Sequence, residues 1–185
     1  VQTHHVAPEL LASAQTDGLL SITTQTSEIL EQLSTADAVL CTCSTLGPLV
    51  DSFAQTHPNT ARIDCPMMED AIETGTKIMV TICLESTRDA TLALLENSTK
   101  KIGSSISIEL MLCDTAWPHF EAGHMTTISS EISKTIRQSI VNKGTPDRIV
   151  LAQTSMRVVT NTLGQPILIK SINLKLFFRF PQFLK

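Results

Sequence analysis

A ten-residue pattern that occurs twice in this chain is the strongest constraint on its fold. The first copy spans residues 37–46 (DAVLCTCSTL) and the second spans residues 147–156 (DRIVLAQTSM). In each copy an acidic residue precedes a mostly apolar run, and two hydroxyl residues and one large apolar residue end the segment. This order is typical of a buried strand that enters a helix through a hydroxyl-rich turn. Two such turns would form a small polar site if they faced each other.

Runs typical of strands and of helices alternate along the chain. We expect strands at 38–42, 61–64, 77–82, 105–112 and 149–152, an extended segment at 166–169, and helices near 21–34, 46–55, 66–73, 86–97, 127–142 and 156–162. This alternation predicts an α/β fold with a parallel sheet that helices cover on both faces. Ligands of such folds bind at the carboxyl ends of the strands, where both copies of the repeat place their hydroxyl groups.

Length and composition restrict the class of protein. The chain has 185 residues, of which 42% are hydrophobic and 17% are charged, as expected for a globular chain with one large or two small domains. The net charge is −4 and the basic residues are scattered, so we expect no nucleic-acid partner. We also expect no membrane association, because no apolar run reaches the length of about 18 residues that a membrane span needs.

The five cysteines are odd in number and lie mostly in apolar runs, so we interpret them as reduced thiols of a cytoplasmic protein. The pair Cys41 and Cys43 has no second Cys or His pair at zinc-site spacing, which predicts no metal. A redox role for this pair is the weakest hypothesis, because a disulfide between them would be strained.

Cys43 is the candidate reactive residue. At the start of a helix the N-terminal dipole favours the thiolate, which can serve as a base or a nucleophile. The amides and hydroxyls of Ser44 and Thr45 could hold a substrate carboxylate beside it. In the alternative interpretation, Cys43 is a small buried hydrophobic residue.

Three further positions could bind the same anion. Gln153 occupies the position of Cys43 in the second copy, followed by Thr154 and Ser155. Ser86 and Thr87 follow another buried strand and form a third candidate cradle. Helix capping alone would also explain these residues.

Three segments (39–48, 62–67 and 149–156) together resemble the aspartate/glutamate racemase superfamily, which includes hydantoin racemases, maleate isomerases and arylmalonate decarboxylases. The resemblance extends over roughly residues 4–168. It implies two similar Rossmann-like α/β lobes with the active site in the cleft between them. It also implies an enzyme without a cofactor, in which one cysteine from each lobe moves a proton on the carbon next to a carboxylate. The superfamily further suggests a homodimer.

The resemblance assigns roles to individual residues. Cys43 matches the first cysteine, Ser44 and Thr45 match its substrate-binding neighbours, and Thr87 resembles the hydroxyl that binds substrate from the second lobe. Gln153 stands where racemases carry their second cysteine. A neutral amide is neither an acid nor a base at neutral pH. We therefore expect one-sided proton transfer on a small amino acid or related acid or, alternatively, an inactive protein that only binds a small carboxylate.

The resemblance also predicts a division of the chain. The first lobe comprises residues 1–65 and 157–170, without the opening strand of the superfamily, and the second lobe comprises residues 66–156. Residues 171–185 form an atypical tail, because they break the alternation of strands and helices.

Overall fold

The computed structural model describes residues 8–163 and 169–171. The helices are α1 (Pro8–Thr16), α2 (Thr23–Leu33), α3 (Gly47–Ala54), α4 (Cys65–Thr74), α5 (Arg88–Ile102), α6 (Trp117–Glu121) and α7 (Met125–Lys143). The strands are β1 (Val39–Cys41), β2 (Thr60–Arg62), β3 (Lys77–Ile82), β4 (Ser107–Leu112), β5 (Arg148–Leu151) and β6 (Ile169–Ser171). Shorter 3₁₀ segments lie at Leu19–Ile22, Ser44–Leu46, Glu85–Thr87, Asp114–Ala116 and Thr154–Asn161.

The strands of the described residues form two sheets. The smaller sheet pairs β1 with β2, and the larger has the order β4-β3-β5-β6. Every strand pair in these sheets is parallel. The predicted α/β class, with parallel sheets flanked by helices, is therefore confirmed. No helix among the described residues is both long enough and apolar enough to cross a membrane.

The core of the larger sheet follows from the alternation of side chains along its two central strands. Ile78, Val80 and Ile82 of β3 pack on one face against α4 and α5, whereas Met79 packs on the other face against α7. Strand β5 divides its side chains between the same two faces. Because helices cover both faces, every position of these strands except the first of each is buried, which explains their continuous apolar runs.

Some elements differ from the expectation. The predicted helix at 21–34 begins with the 3₁₀ segment Leu19–Ile22 and becomes α-helical only at Thr23. The predicted helix at 156–162 is a 3₁₀ segment, Thr154–Asn161. The predicted extended segment at 166–169 falls mostly outside the described residues, although Ile169 does begin β6.

The predicted assignment of residues 157–170 to the first lobe differs from the observed packing. Strand β6 pairs with β5, so Ile169 and Lys170 lie in the larger sheet. Val159 and Leu163 are buried with the isoleucines of α7. The physical reason is that β5 is apolar along its length and needs a neighbour on each edge, which β3 and β6 provide. Ser171 closes β6, whereas the rest of the predicted tail and residues 1–7 lie outside the described residues.

The acidic residue that opens each copy of the repeat has a structural role in the second copy. The Asp147 carboxylate accepts hydrogen bonds from the backbone N–H groups of Lys77 and Thr76, each at 2.9 Å, and from the Thr76 hydroxyl. These bonds lower the pKa of Asp147. Asp147 therefore fixes the start of β3 beside β5, while Asp37 in the first copy is exposed.

A buried arginine connects the elements around the smaller sheet. Arg62 of β2 is 3% exposed; its Nε and Nη2 donate to the two oxygens of Asp64 at 2.7 and 2.9 Å, and its Nη1 donates to Asp51 at 2.8 Å. Burial alone would lower the pKa of Arg62, but the hydrogen bonds and attraction of Asp64 and Asp51 outweigh it and raise that pKa. The guanidinium lies directly against Gly47, where an added Cβ atom would overlap Cζ of Arg62.

We predict that Gly47→Ala destabilises the protein. In a helix with free space this change stabilises by about 1 kcal/mol, but here the added methyl group must displace the buried guanidinium. The free energy of unfolding should therefore fall by about 1–3 kcal/mol in urea titrations. Ser52→Ala, at an exposed position of α3, is the matched control and should not lose stability. A Gly47→Ala variant as stable as the wild type would contradict the role assigned to this contact.

Candidate functional site

Four strands end at similar junctions. Strands β1, β3, β4 and β5 are followed by the 3₁₀ segments at Ser44–Leu46, Glu85–Thr87, Asp114–Ala116 and Thr154–Asn161. The first three of these segments lead directly into α3, α5 and α6. These junctions lie at the carboxyl ends of parallel strands, where α/β folds place ligands.

A cavity of about 200 Å³ lies where these junctions meet. Seven of the eight predicted site residues line it: Cys43, Ser44, Thr45, Thr87, Gln153, Thr154 and Ser155. The eighth, Ser86, is exposed and does not line the cavity. The structure therefore brings both copies of the repeat to the same cavity. Of the third candidate cradle, only Thr87 lies there.

One buried hydrogen bond joins the two copies directly. The Ser44 hydroxyl donates to the carbonyl oxygen of Ala152 at 3.1 Å, and these residues are 108 positions apart. The Thr87 hydroxyl likewise donates to the carbonyl of Leu84, at 2.7 Å. Each of these two hydroxyls thus already donates its hydrogen bond to a backbone carbonyl of the protein. The hydroxyls of Thr45, Thr154 and Ser155 also line the cavity, form no hydrogen bond within the described residues, and are therefore free to bind a ligand.

The side chain of Gln153 is anchored to the neighbouring strand end. Its Oε1 accepts a hydrogen bond from the backbone N–H of Cys83, just after β3. Gln153 itself has extended backbone and precedes the 3₁₀ segment. The amide therefore presents its NH₂ group as the remaining donor.

The other four cysteines have environments that keep their thiols protonated. Burial is the main cause: it raises the pKa of Cys41 and Cys113 to about 11 and that of Cys65 and Cys83 to about 12. All five cysteines lie within residues 8–163 and are free thiols. Cys43 is partly exposed and is the one cysteine of the described chain that lines the cavity. This placement makes Cys43 the candidate for thiolate chemistry.

Sequence reasoning missed the apolar wall of the cavity. Leu11, Leu84, Trp117 and Phe120 contribute this wall, and the exposed Thr42 also lines the cavity. The rings of Trp117 and Phe120 pack with centroids 5.0 Å apart, and the indole N–H donates to Glu121 at 2.9 Å. The signal that could have found these rings is the junction after β4, which repeats the order of strand, polar turn and helix.

The part of the cavity lining that the structure describes includes no charged side chain and no histidine. Within the described residues there is also no group of three or more His, Cys, Asp or Glu that could hold a metal ion. The polar groups of the cavity are thus a thiol, hydroxyls, an amide side chain and backbone amides. Such groups suit a small anion, because backbone N–H groups at turns bind carboxylates without a cation.

Comparison of the sequence with protein-family models gives no match, and comparison with curated proteins gives none either. Solved structures do match. Glutamate racemase RacE1 from Bacillus anthracis has a TM-score of 0.62 and 17% identity, over 89% of this chain and 61% of that one. Glutamate racemase from Francisella tularensis subsp. tularensis SCHU S4, in complex with D-glutamate, has a TM-score of 0.59 and 12% identity, over 89% and 60%.

A third match is glutamate racemase from Campylobacter jejuni subsp. jejuni, with a TM-score of 0.57 and 16% identity, over 84% of this chain and 63% of that one. The chain therefore spans about three fifths of the length of these racemases. The resemblance to the aspartate/glutamate racemase superfamily was inferred from residues around Cys43, Cys65 and Gln153, and the structural matches confirm it at the level of the fold. The chain has the fold of the glutamate racemases.

Proposed function

We propose that this protein performs cofactor-independent proton transfer next to the carboxylate of a small amino acid or related acid. The observation that carries the proposal is that Cys43 and Gln153, from the two copies of the repeat, line one cavity together with the hydroxyls that follow them. The racemase fold supports the same class of chemistry. The D-glutamate bound by the Francisella enzyme supports a carboxylate ligand.

The proposed reaction begins with the carboxylate bound by the backbone amides and free hydroxyls of the turns. The Cys43 thiolate removes the proton from the adjacent carbon, which forms an S–H bond and leaves the electron pair delocalised into the carboxylate. The same thiol then returns a proton to that carbon. Gln153 has no proton to give on the opposite face, so the handedness of the substrate is retained.

A second candidate is an inactive protein that binds a small carboxylate at this cavity. The hydrogen bond from Cys83 N–H to Gln153 favours it, because this bond gives the amide a structural role that requires no catalysis. Gln153 would then help to form the cavity, and its NH₂ group would donate to the ligand. The expectations of a cytoplasmic location and a homodimer stay predictions in both cases.

The first prediction from the proposed function concerns thiol reactivity. Iodoacetamide at pH 7 should modify Cys43 before the other four cysteines, because the thiolate is the nucleophile and burial holds the pKa of those four at about 11 or 12. Peptide mass spectrometry over a time course measures the order. The rapid phase should be absent in Cys43→Ser, whereas fast modification of Cys41 or Cys65 would contradict the assignment.

The second prediction tests the reaction. In deuterium oxide, a panel of amino acids and related acids should include one that gains deuterium next to its carboxylate while its handedness is retained, as NMR and chiral chromatography measure. Cys43→Ala should slow this exchange by about 100-fold or more, since a positioned acid–base group contributes roughly that factor. Cys65→Ala is the matched control, because Cys65 is also partly exposed but does not line the cavity.

Exchange that persists in Cys43→Ala would contradict the proposed role of this thiol. If the folded wild type binds an acid of the panel but exchanges none, the inactive binding protein is the correct function. Racemisation by the wild type would contradict the interpretation of Gln153.

The third prediction restores the missing thiol. Gln153→Cys should raise racemase activity on an acid that the wild type exchanges, because it supplies a proton donor on the opposite face. Ser155→Cys is the matched control, since it adds a thiol to the same cavity two positions away from the one that the resemblance matches to the second cysteine. Circular dichroism should establish that both variants fold. A folded Gln153→Cys variant without any gain would contradict the proposed correspondence of Cys43 and Gln153.

A further inference from the structure

We infer that the acid recognised at Cys43 has an uncharged, apolar side chain, and that this side chain enters a second cavity adjoining the site. The inference rests on the proposed function in one respect, which is that the carboxylate binds beside Cys43. It goes further by naming the class of substrate. A monocarboxylate with an aliphatic side chain fits both cavities, and a dicarboxylate does not.

The second cavity has a volume of about 210 Å³ and lies between α2 and β1. Its walls are mainly apolar and include Ile29, Leu30, Val39 and Val50. It adjoins the first cavity, because Leu11, Thr42 and Cys43 line both. A ligand held at the turn after β1 is therefore next to an apolar space large enough for a branched aliphatic group.

The charges around the two cavities decide between substrate classes. Within the described residues, neither lining contains Asp, Glu, Lys, Arg or His. The first carboxylate of a ligand can be bound by backbone amides at the turns. A second carboxylate would lose its hydration in an apolar space to which the described residues contribute no cation, which is strongly unfavourable. An aliphatic group in the same space gains from the removal of its surface from water.

One buried polar group of the second cavity forms no hydrogen bond with the described residues. Thr26 of α2 is 4% exposed, and its hydroxyl has no hydrogen-bond partner among the described residues. Buried hydroxyls are normally paired, so an unpaired one on a cavity wall is a place for a ligand atom.

The test compares 4-methylpentanoate with succinate. The two acids have the same branched outline, but succinate has a second carboxylate where 4-methylpentanoate has an isopropyl group. Ligand-observed NMR with the full chain measures the two dissociation constants. We expect 4-methylpentanoate to bind at least roughly tenfold more tightly. Ile29→Trp, which fills the second cavity, should weaken its binding by a similar factor. Leu20→Trp, at a 91% exposed position outside both cavities, is the matched control and should not change the binding.

Succinate binding that equals or exceeds that of 4-methylpentanoate would overturn this inference and leave the carboxylate site intact. Unchanged binding of 4-methylpentanoate by a folded Ile29→Trp variant would also overturn it. Binding of neither acid would overturn it together with the carboxylate site. Tight binding of 4-methylpentanoate without deuterium exchange of any acid supports the inference, while the proposed proton transfer alone fails.

Discussion

The hydrogen bond from the Ser44 hydroxyl to the carbonyl of Ala152 connects the turn after β1 to the end of β5. Its contribution to stability is about 1 kcal/mol, which is too little to hold the two sheets together. Apolar packing does that, because Leu40, Ala61 and Ile63 pack against the core that α4 and β3 share. The hydrogen bond instead fixes the orientation of the turn after β1 relative to the end of β5. The cavity at Cys43 depends on this orientation, because both turns line it.

The position of the first turn depends on a second constraint, the buried charge of Arg62. A guanidinium that has lost its hydration needs several oxygen partners, and Asp64 and Asp51 provide them from the start of α4 and from α3. Gly47 allows the guanidinium to approach the first turn of α3. Since α3 begins directly after the 3₁₀ segment that follows Cys43, the ion pairs hold the thiol-bearing turn against β2.

The sequence predicts the strands and helices well wherever burial is uniform. Strands β3 and β5 are buried on both faces, so their apolar runs are continuous and easily recognised. The repeat also predicts most of the polar side of the cavity, because its two copies have one local structure. The apolar side was not predicted, since Trp117 and Phe120 follow β4, and the junction after this strand belongs to neither copy of the repeat. The placement of β6 depends on the free edge of β5, which no local pattern reveals. Ser86 illustrates the opposite error: its residue type suits the site, but within the segment Glu85–Thr87 its side chain is exposed, whereas that of Thr87 is buried.

The contact between Gln153 and Cys83 has a consequence for how such a site can change over time. The glutamine oxygen satisfies a backbone N–H group at the end of β3, and a cysteine at the same position is too short to do so. Loss of that partner costs about 1–3 kcal/mol when the N–H is buried. Position 153 can therefore carry either a thiol or the glutamine oxygen that accepts from the Cys83 N–H at the end of β3, but not both. A chain with cysteine at position 153 would therefore need another hydrogen-bond acceptor for the Cys83 N–H to keep the same stability.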